Sequence, residues 1–265
     1  MSNENLTKSY LGPSFKQRTI AAHSFLHEQE LKYQRGDRLY PIIAGDHFLN
    51  KKFGELGSAQ KTIIHQIRKL AENPSLTRPV TYLDVGGGFG EASIAMAISL
   101  EDLIKSGKAL VLVSNFEFVP KPEDIKRLLK GKSVHKFFST NMHRIHYIKS
   151  DVGHLPGLTI DSQNGPLKLF GNLDFIYECN ALSHSRTPDR DYWILGRSLS
   201  QWGTLMFNSD KAYENMDISD ELKRDINTSF QIGINSLRQM GLKESEFRYY
   251  KLFQRNDAPS LEETE

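Results

Sequence analysis

Cysteine is nearly missing from this chain. Cys179 is its single thiol in 265 residues, which excludes an internal disulfide or a multi-cysteine metal site and suits a reducing, cytoplasmic setting. Long apolar runs are missing too: stretches such as Ala109 to Val113 fall far short of the roughly 20 residues that span a bilayer, so no membrane segment is expected. The first residues, Met1-Ser2-Asn3-Glu4-Asn5, have neither a basic start nor an apolar segment, so no secretory leader is expected. A net charge of +2 favours no particular class of partner. What is present, 38% apolar and 25% charged residues over this length, suits a soluble α/β domain with an appendage.

Glycine is concentrated where it matters. Tyr82-Leu83-Asp84-Val85 reads as an apolar strand, and Gly86-Gly87-Gly88-Phe89-Gly90 follows directly, before a helical pattern opens at Glu91. Glycine leaves positive φ open and lets a ligand approach backbone, at an entropic cost. A strand, such a loop and a helix amino terminus together build a nucleotide crevice at the carboxyl edge of a parallel sheet. The dinucleotide fingerprint G-x-G-x-x-G/A needs a third small residue, and counting from Gly86 that position holds the bulky, charged Glu91. Counting from Gly88 gives a degraded match through Gly90 and Ser93, and no Lys-Ser or Lys-Thr follows to make a P-loop.

Periodicity places strands at Thr81 to Val85, Ala109 to Ser114, His146 to Lys149, Leu173 to Tyr177 and Thr204 to Phe207. Helices are expected at Glu91 to Lys105, Pro122 to Lys130 and Asp189 to Gln201, while Gly131 to Arg144 is ambiguous. Leu222, Ile226, Phe230, Ile234, Leu237 and Met240 recur at three or four and describe a long amphipathic helix, with Gly241 placed as its C′ glycine. Glu246 to Tyr250 and Lys251 to Gln254 are the expected last two strands. The result is a doubly wound, mostly parallel α/β sheet of seven strands with helices on both faces. Residues 1–79 form a helical amino-terminal cap, including the apolar stripe Ile63, Ile64, Ile67 and Leu70 that Asn73-Pro74 ends. Residues 256–265 form an acidic, disordered tail.

The text D-x-G-x-G-x-G at Asp84-Val85-Gly86-Gly87-Gly88-Phe89-Gly90 resembles the first motif of the class I S-adenosylmethionine-dependent methyltransferases. Leu173-Asp174-Phe175-Ile176-Tyr177-Glu178-Cys179-Asn180-Ala181-Leu182-Ser183-His184 is similar to their fourth strand and its loop in small-molecule enzymes. Arg197 to Phe207 resembles their turn into the fifth strand, with Gln201-Trp202-Gly203 where Pro-Gly-Gly is usual. The resemblance covers about residues 80–255 and implies an S-adenosyl-L-methionine-binding domain. It implies that Asp84, Gly86, Gly87, Gly88 and Gly90 shape the methionine end of the cofactor pocket. Glu117, or Asn115 in its place, would accept the ribose diol, as a carboxylate can. Asp151 would accept from the adenine amino group beside the Val152 N–H, with capping of a turn as its other explanation. Glu178 and Asn180 would add contacts at the fourth strand.

The acceptor so implied is a small molecule, with His184 the candidate general base near the methyl group. Tyr33, Tyr40 and His47 are candidate lid residues. Eight Lys or Arg fall between Lys121 and Lys149; they are the only support for RNA or protein methylation as the alternative, and a solvated helix face with its flanking loops is the preferred explanation of them. A methyltransferase-like binding module without catalysis is a further alternative. His143, His146 and His154 match no zinc spacing, so no metal is expected.

Overall fold

The computed structural model describes residues 56–115, 123, 132–178, 182, 187–207, 220–247, 250–259 and 261. Runs of apolar residues without alternation become strands buried on both faces. Every residue of β1 (Val80–Val85), β2 (Ala109–Asn115) and β6 (Leu173–Glu178) is buried. They join β3 (His146–Lys149), β7 (Leu199–Phe207), β8 (Lys243–Phe247) and β9 (Tyr250–Gln254) in a seven-stranded sheet of order β3-β2-β1-β6-β7-β9-β8. β1 pairs in parallel with β2 on one side (Val80 with Ala109) and with β6 on the other (Tyr82 with Phe175). The chain thus reverses direction across the sheet at β1, and a crevice opens at the carboxyl ends of β1 and β6. β9 alone runs against its neighbours, β7 and β8.

Helices cover both faces. On one side lie α1 (Ser58–Ala71), α2 (Glu91–Ser99) and α4 (Lys132–Asn141), and the core there joins Ile63, Ile67, Tyr82, Phe89, Ile94 and Phe138. On the other, α5 (Pro188–Ser198) and α6 (Asp220–Gln239) bury Tyr192, Phe230, Ile234 and Leu237 against Leu83 and Ile176. A β-carbon on Gly233 would lie 2.8 Å from Tyr192 Cδ2, so the glycine inside α6 is what lets α5 come close.

Several elements differ from expectation. The helix expected from Glu91 to Lys105 breaks at Leu100, whose φ of −109° and ψ of 17° separate α2 from α3 (Glu101–Lys105). The helix expected to reach Gln201 stops at Ser198, and β7 starts at Leu199, where Ser200 Oγ donates to buried Asp174 Oδ1 at 2.6 Å. Tertiary partners there override helical propensity. The ambiguous stretch before β3 is α4 and a 3-10 turn, Met142–Arg144. A hairpin, β4 (Thr159–Ser162) and β5 (Gly165–Lys168), was not expected. Its two-residue loop is Gln163-Asn164, and Gly165, at φ 102°, opens β5 opposite Ser162. The last two strands begin at Lys243 and Tyr250 rather than Glu246 and Lys251. In the tail, Gln254 Nε2 donates to the Pro259 carbonyl at 3.0 Å and Leu261 packs on the α1-side core. The helix expected at Pro122 to Lys130 lies outside the described residues except for Glu123.

Candidate functional site

The glycine loop leaves the carboxyl end of β1 at the strand-order reversal. Gly86, Gly88 and Gly90 have φ of 69°, 58° and 77°, a region that side-chain-bearing residues enter only at a cost. The Gly86 N–H donates to the Ser114 carbonyl at 2.8 Å, and the Gly90 N–H to the Gly87 carbonyl at 2.8 Å. A β-carbon on Gly87 would lie 2.6 Å from Asp84 Oδ2 and 2.9 Å from Val113 Cγ1. The loop therefore rests directly on Asp84.

Asp84 is 5% exposed and receives the Ser93 hydroxyl at 2.6 Å from the first turns of α2. Burial raises its carboxyl to about 6, with the Ser93 hydrogen bond pulling the other way. Two side chains from neighbouring strands hold the loop from the side. Asn115 Nδ2 donates to the Gly88 carbonyl at 2.8 Å, and the Tyr147 hydroxyl to the Phe89 carbonyl at 2.6 Å. Burial pushes the Tyr147 phenol above its ordinary range, which keeps it a donor. Ser150 N–H closes the set by donating to the Asn115 carbonyl at 3.0 Å. The ends of β1, β2 and β3 are laced into one platform. Ser93 and Tyr147 were not foreseen in this role, because a single strand or helix position carries no mark of what it will reach.

Asp151 caps the 3-10 turn Val152–Gly157: its Oδ1 accepts from the His154 N–H at 3.1 Å and meets His154 Nδ1 at 2.6 Å. Asp151 is partly exposed just beyond β3, and its Oδ2 takes no part in these bonds. Val152 is buried in the α5-side core. Glu178 is wholly buried, and its Oε1 accepts from the Leu182 N–H at 2.9 Å, bracing the loop after β6. Asn115 spends its amide on the glycine loop. Glu117, Asn180 and His184 lie outside the described residues, as do Tyr33, Tyr40, His47 and Cys179. His143 and His146 stand before and at the amino end of β3, whereas His154 lies past its other end. Among the described residues no group of three His, Cys, Asp or Glu could hold a metal ion. Likewise, among them no helix is long and apolar enough to cross a membrane.

Glu91, the first residue of α2, is 9% exposed. An acidic side chain in that first turn adds negative charge at the helix end where phosphate-binding folds receive an anion.

A parallel sheet with one reversed strand next to its edge, entered through a glycine loop at its central strand, is a Rossmann-like fold of the order that class I methyltransferases imply. No protein-family model matches the chain, and no curated protein does. Solved structures are similar to it. The plantazolicin methyltransferase BpumL, in complex with SAH, is 10% identical with a TM-score of 0.45, over 91% of this chain and 98% of that one. A SAM-dependent methyltransferase from Aquifex aeolicus is 16% identical with a TM-score of 0.39, over 72% and 96%. The cyclase SpnF is 16% identical with a TM-score of 0.38, over 74% of this chain and 62% of its own. The chain thus spans under two thirds of the cyclase's length. At such scores these likenesses add nothing to the fold that the sheet order already defines.

Proposed function

We propose that the chain is an S-adenosylmethionine-dependent methyltransferase acting on a small-molecule acceptor. The observation that carries the proposal is the glycine loop, with three left-handed glycines over buried Asp84 and an acidic residue, Glu91, in the first turn of the helix that follows. Such a cradle suits a nucleoside whose remaining end bears no phosphate. Asp84 and Gly86 to Gly90 shape the pocket for the amino acid end, Asp151 Oδ2 with the Val152 N–H takes adenine, and Glu117 takes ribose. The cofactor supplies an electrophilic methyl group on a sulfonium. The protein's part is alignment for in-line displacement and exclusion of water. His184, which follows the fourth main strand in sequence, is the candidate to take the acceptor's proton. The lone cysteine supports a cytoplasmic setting.

Thermal unfolding of the full chain with S-adenosylmethionine, S-adenosylhomocysteine and NAD(H) tests this. A ligand at about 100 times its dissociation constant adds about 2.7 kcal/mol of stability. Stabilisation by the two S-adenosyl compounds and not by NAD(H) is expected; no shift with either S-adenosyl compound would sink the proposal.

A further inference from the structure

Asp151 leaves β3 as the cap of the 3-10 turn Val152–Gly157, and the turn is firmly seated, with Val152 and Leu155 buried beneath it. One oxygen of its carboxyl is held twice: Oδ1 accepts from the His154 N–H at 3.1 Å and meets His154 Nδ1 at 2.6 Å. A carboxylate oxygen only accepts, so Nδ1 carries the hydrogen of the shorter bond. The His154 side chain is 76% exposed, and a charge pair so open to water adds little to stability. What the pair fixes is orientation. Two bonds to one oxygen set the side-chain torsion and the plane of the carboxyl, so Oδ2 is left over and held in one attitude.

A rival for that carboxylate stands close by. A β-carbon on Gly153 would lie 3.2 Å from Asp151 Oδ1 and 3.5 Å from Arg190 Nη2. Arg190 is exposed in the first turn of α5, the helix that packs on this 3-10 turn. Its guanidinium is therefore near Asp151, yet Asp151 pairs with His154 instead. The two partners differ in what they leave behind. A guanidinium takes both oxygens of a carboxylate side by side, whereas the imidazole takes one and leaves the other for a ligand.

We propose that His154 is a positioning residue that sets the specificity for the cofactor's base, by keeping Asp151 from Arg190 and presenting Oδ2 to the 6-amino group of adenine. The inference rests on the methyltransferase reading above, in which Asp151 takes adenine. An amino group is a donor and needs an acceptor already in place. A carbonyl at the same position, as in hypoxanthine, meets that acceptor with a second one. A site built for a ligand N–H rejects the analogue without it, because its own polar group is left unpaired. Remove the imidazole, and Asp151 turns to Arg190: the discrimination is lost while the fold stands.

Calorimetric titration of the full chain tests this with two probes: S-adenosylhomocysteine, and S-inosylhomocysteine, which carries hypoxanthine in place of adenine. The wild type should prefer the adenine compound. His154→Leu should weaken S-adenosylhomocysteine about 10-fold, the worth of one hydrogen bond to a charged group. It should bind S-inosylhomocysteine no more weakly than the wild type does and leave the melting temperature of the free protein unchanged. His154→Asn, whose Nδ2 stands in for Nδ1, should keep most of the affinity. Adding Arg190→Gln to His154→Leu should restore most of what the single change loses. Wild-type affinity for S-adenosylhomocysteine in His154→Leu overturns the positioning role. So does equal weakening of both probes, or a loss that Arg190→Gln does not relieve. Equal binding of the two probes by the wild type takes adenine away from Asp151 and overturns the proposal, while the methyltransferase reading stands. Failure of the wild type to bind either probe overturns that reading, and the role of His154 with it.

Discussion

Two buried aspartates at opposite edges of the same sheet live in contrasting surroundings. Asp174, at the amino edge on β6, accepts from the Arg78 guanidinium through both oxygens at 2.7 and 2.8 Å, from the Thr81 N–H at 2.9 Å and from Ser200 Oγ at 2.6 Å. Asp84, at the carboxyl edge on β1, has the Ser93 hydroxyl and the underside of a glycine loop. The first charge is met from four directions and ties β1, β6 and β7 to the segment after α1. The second is held in a place that raises its carboxyl to about 6. One edge is built for stability and the other carries an unfavourable charge beneath its glycine loop, the division expected of an open α/β sheet, whose ligands bind at the carboxyl edge.

Breaking the amino edge should have the largest effect. Asp174→Ala leaves Arg78 partly buried without its partner, and the loss should be about 3–5 kcal/mol in urea unfolding. A loss under about 1 kcal/mol would mean that the network holds nothing together.

Asp84 should behave in the opposite sense. Its carboxyl titrates higher folded than unfolded, so the native state binds the proton more tightly between pH 4 and 6 and loses stability as pH rises through that window. Relative to Asp84→Asn, which keeps an acceptor for Ser93, the wild type should gain on the order of 3 kcal/mol as pH falls from 7 to 4. Parallel pH profiles of the two proteins would remove the contrast between the edges.

The smallest change in stability, with the largest in binding, is expected at Gly90. A β-carbon there meets Ile145 Cδ1 at 2.8 Å with φ at 77°, and the left-handed conformation alone costs a side chain about 1–2 kcal/mol. Gly90→Ala should therefore fold, slightly destabilised, and lose the thermal shift with S-adenosylhomocysteine. A full shift in that variant would detach the loop from binding.

The strands and their helical crossovers were legible because fully buried parallel strands leave uninterrupted apolar runs such as Leu110 to Val113, and the Asp84 to Gly90 motif marks its own loop. Junctions were not. Leu199 to Gln201 reads as the end of a helix, and only the reach of Ser200 to Asp174, 26 residues away in sequence, makes it strand. Tyr147 and Asn115 become loop braces through contacts 58 and 27 residues distant, which local spacing cannot register.

The strand order has a consequence for how the chain assembles. β8 pairs with β9 and with no other strand of the sheet, yet it precedes β9 in the chain. Phe247 pairs with Tyr250 across a two-residue connection, so β8 and β9 form a local hairpin whose β9 side meets β7, and both strands join the sheet together once Tyr250–Gln254 has been made. Until then β7 offers an open, largely apolar edge, and a nascent chain halted just short of residue 250 presents the template for pairing with a neighbour.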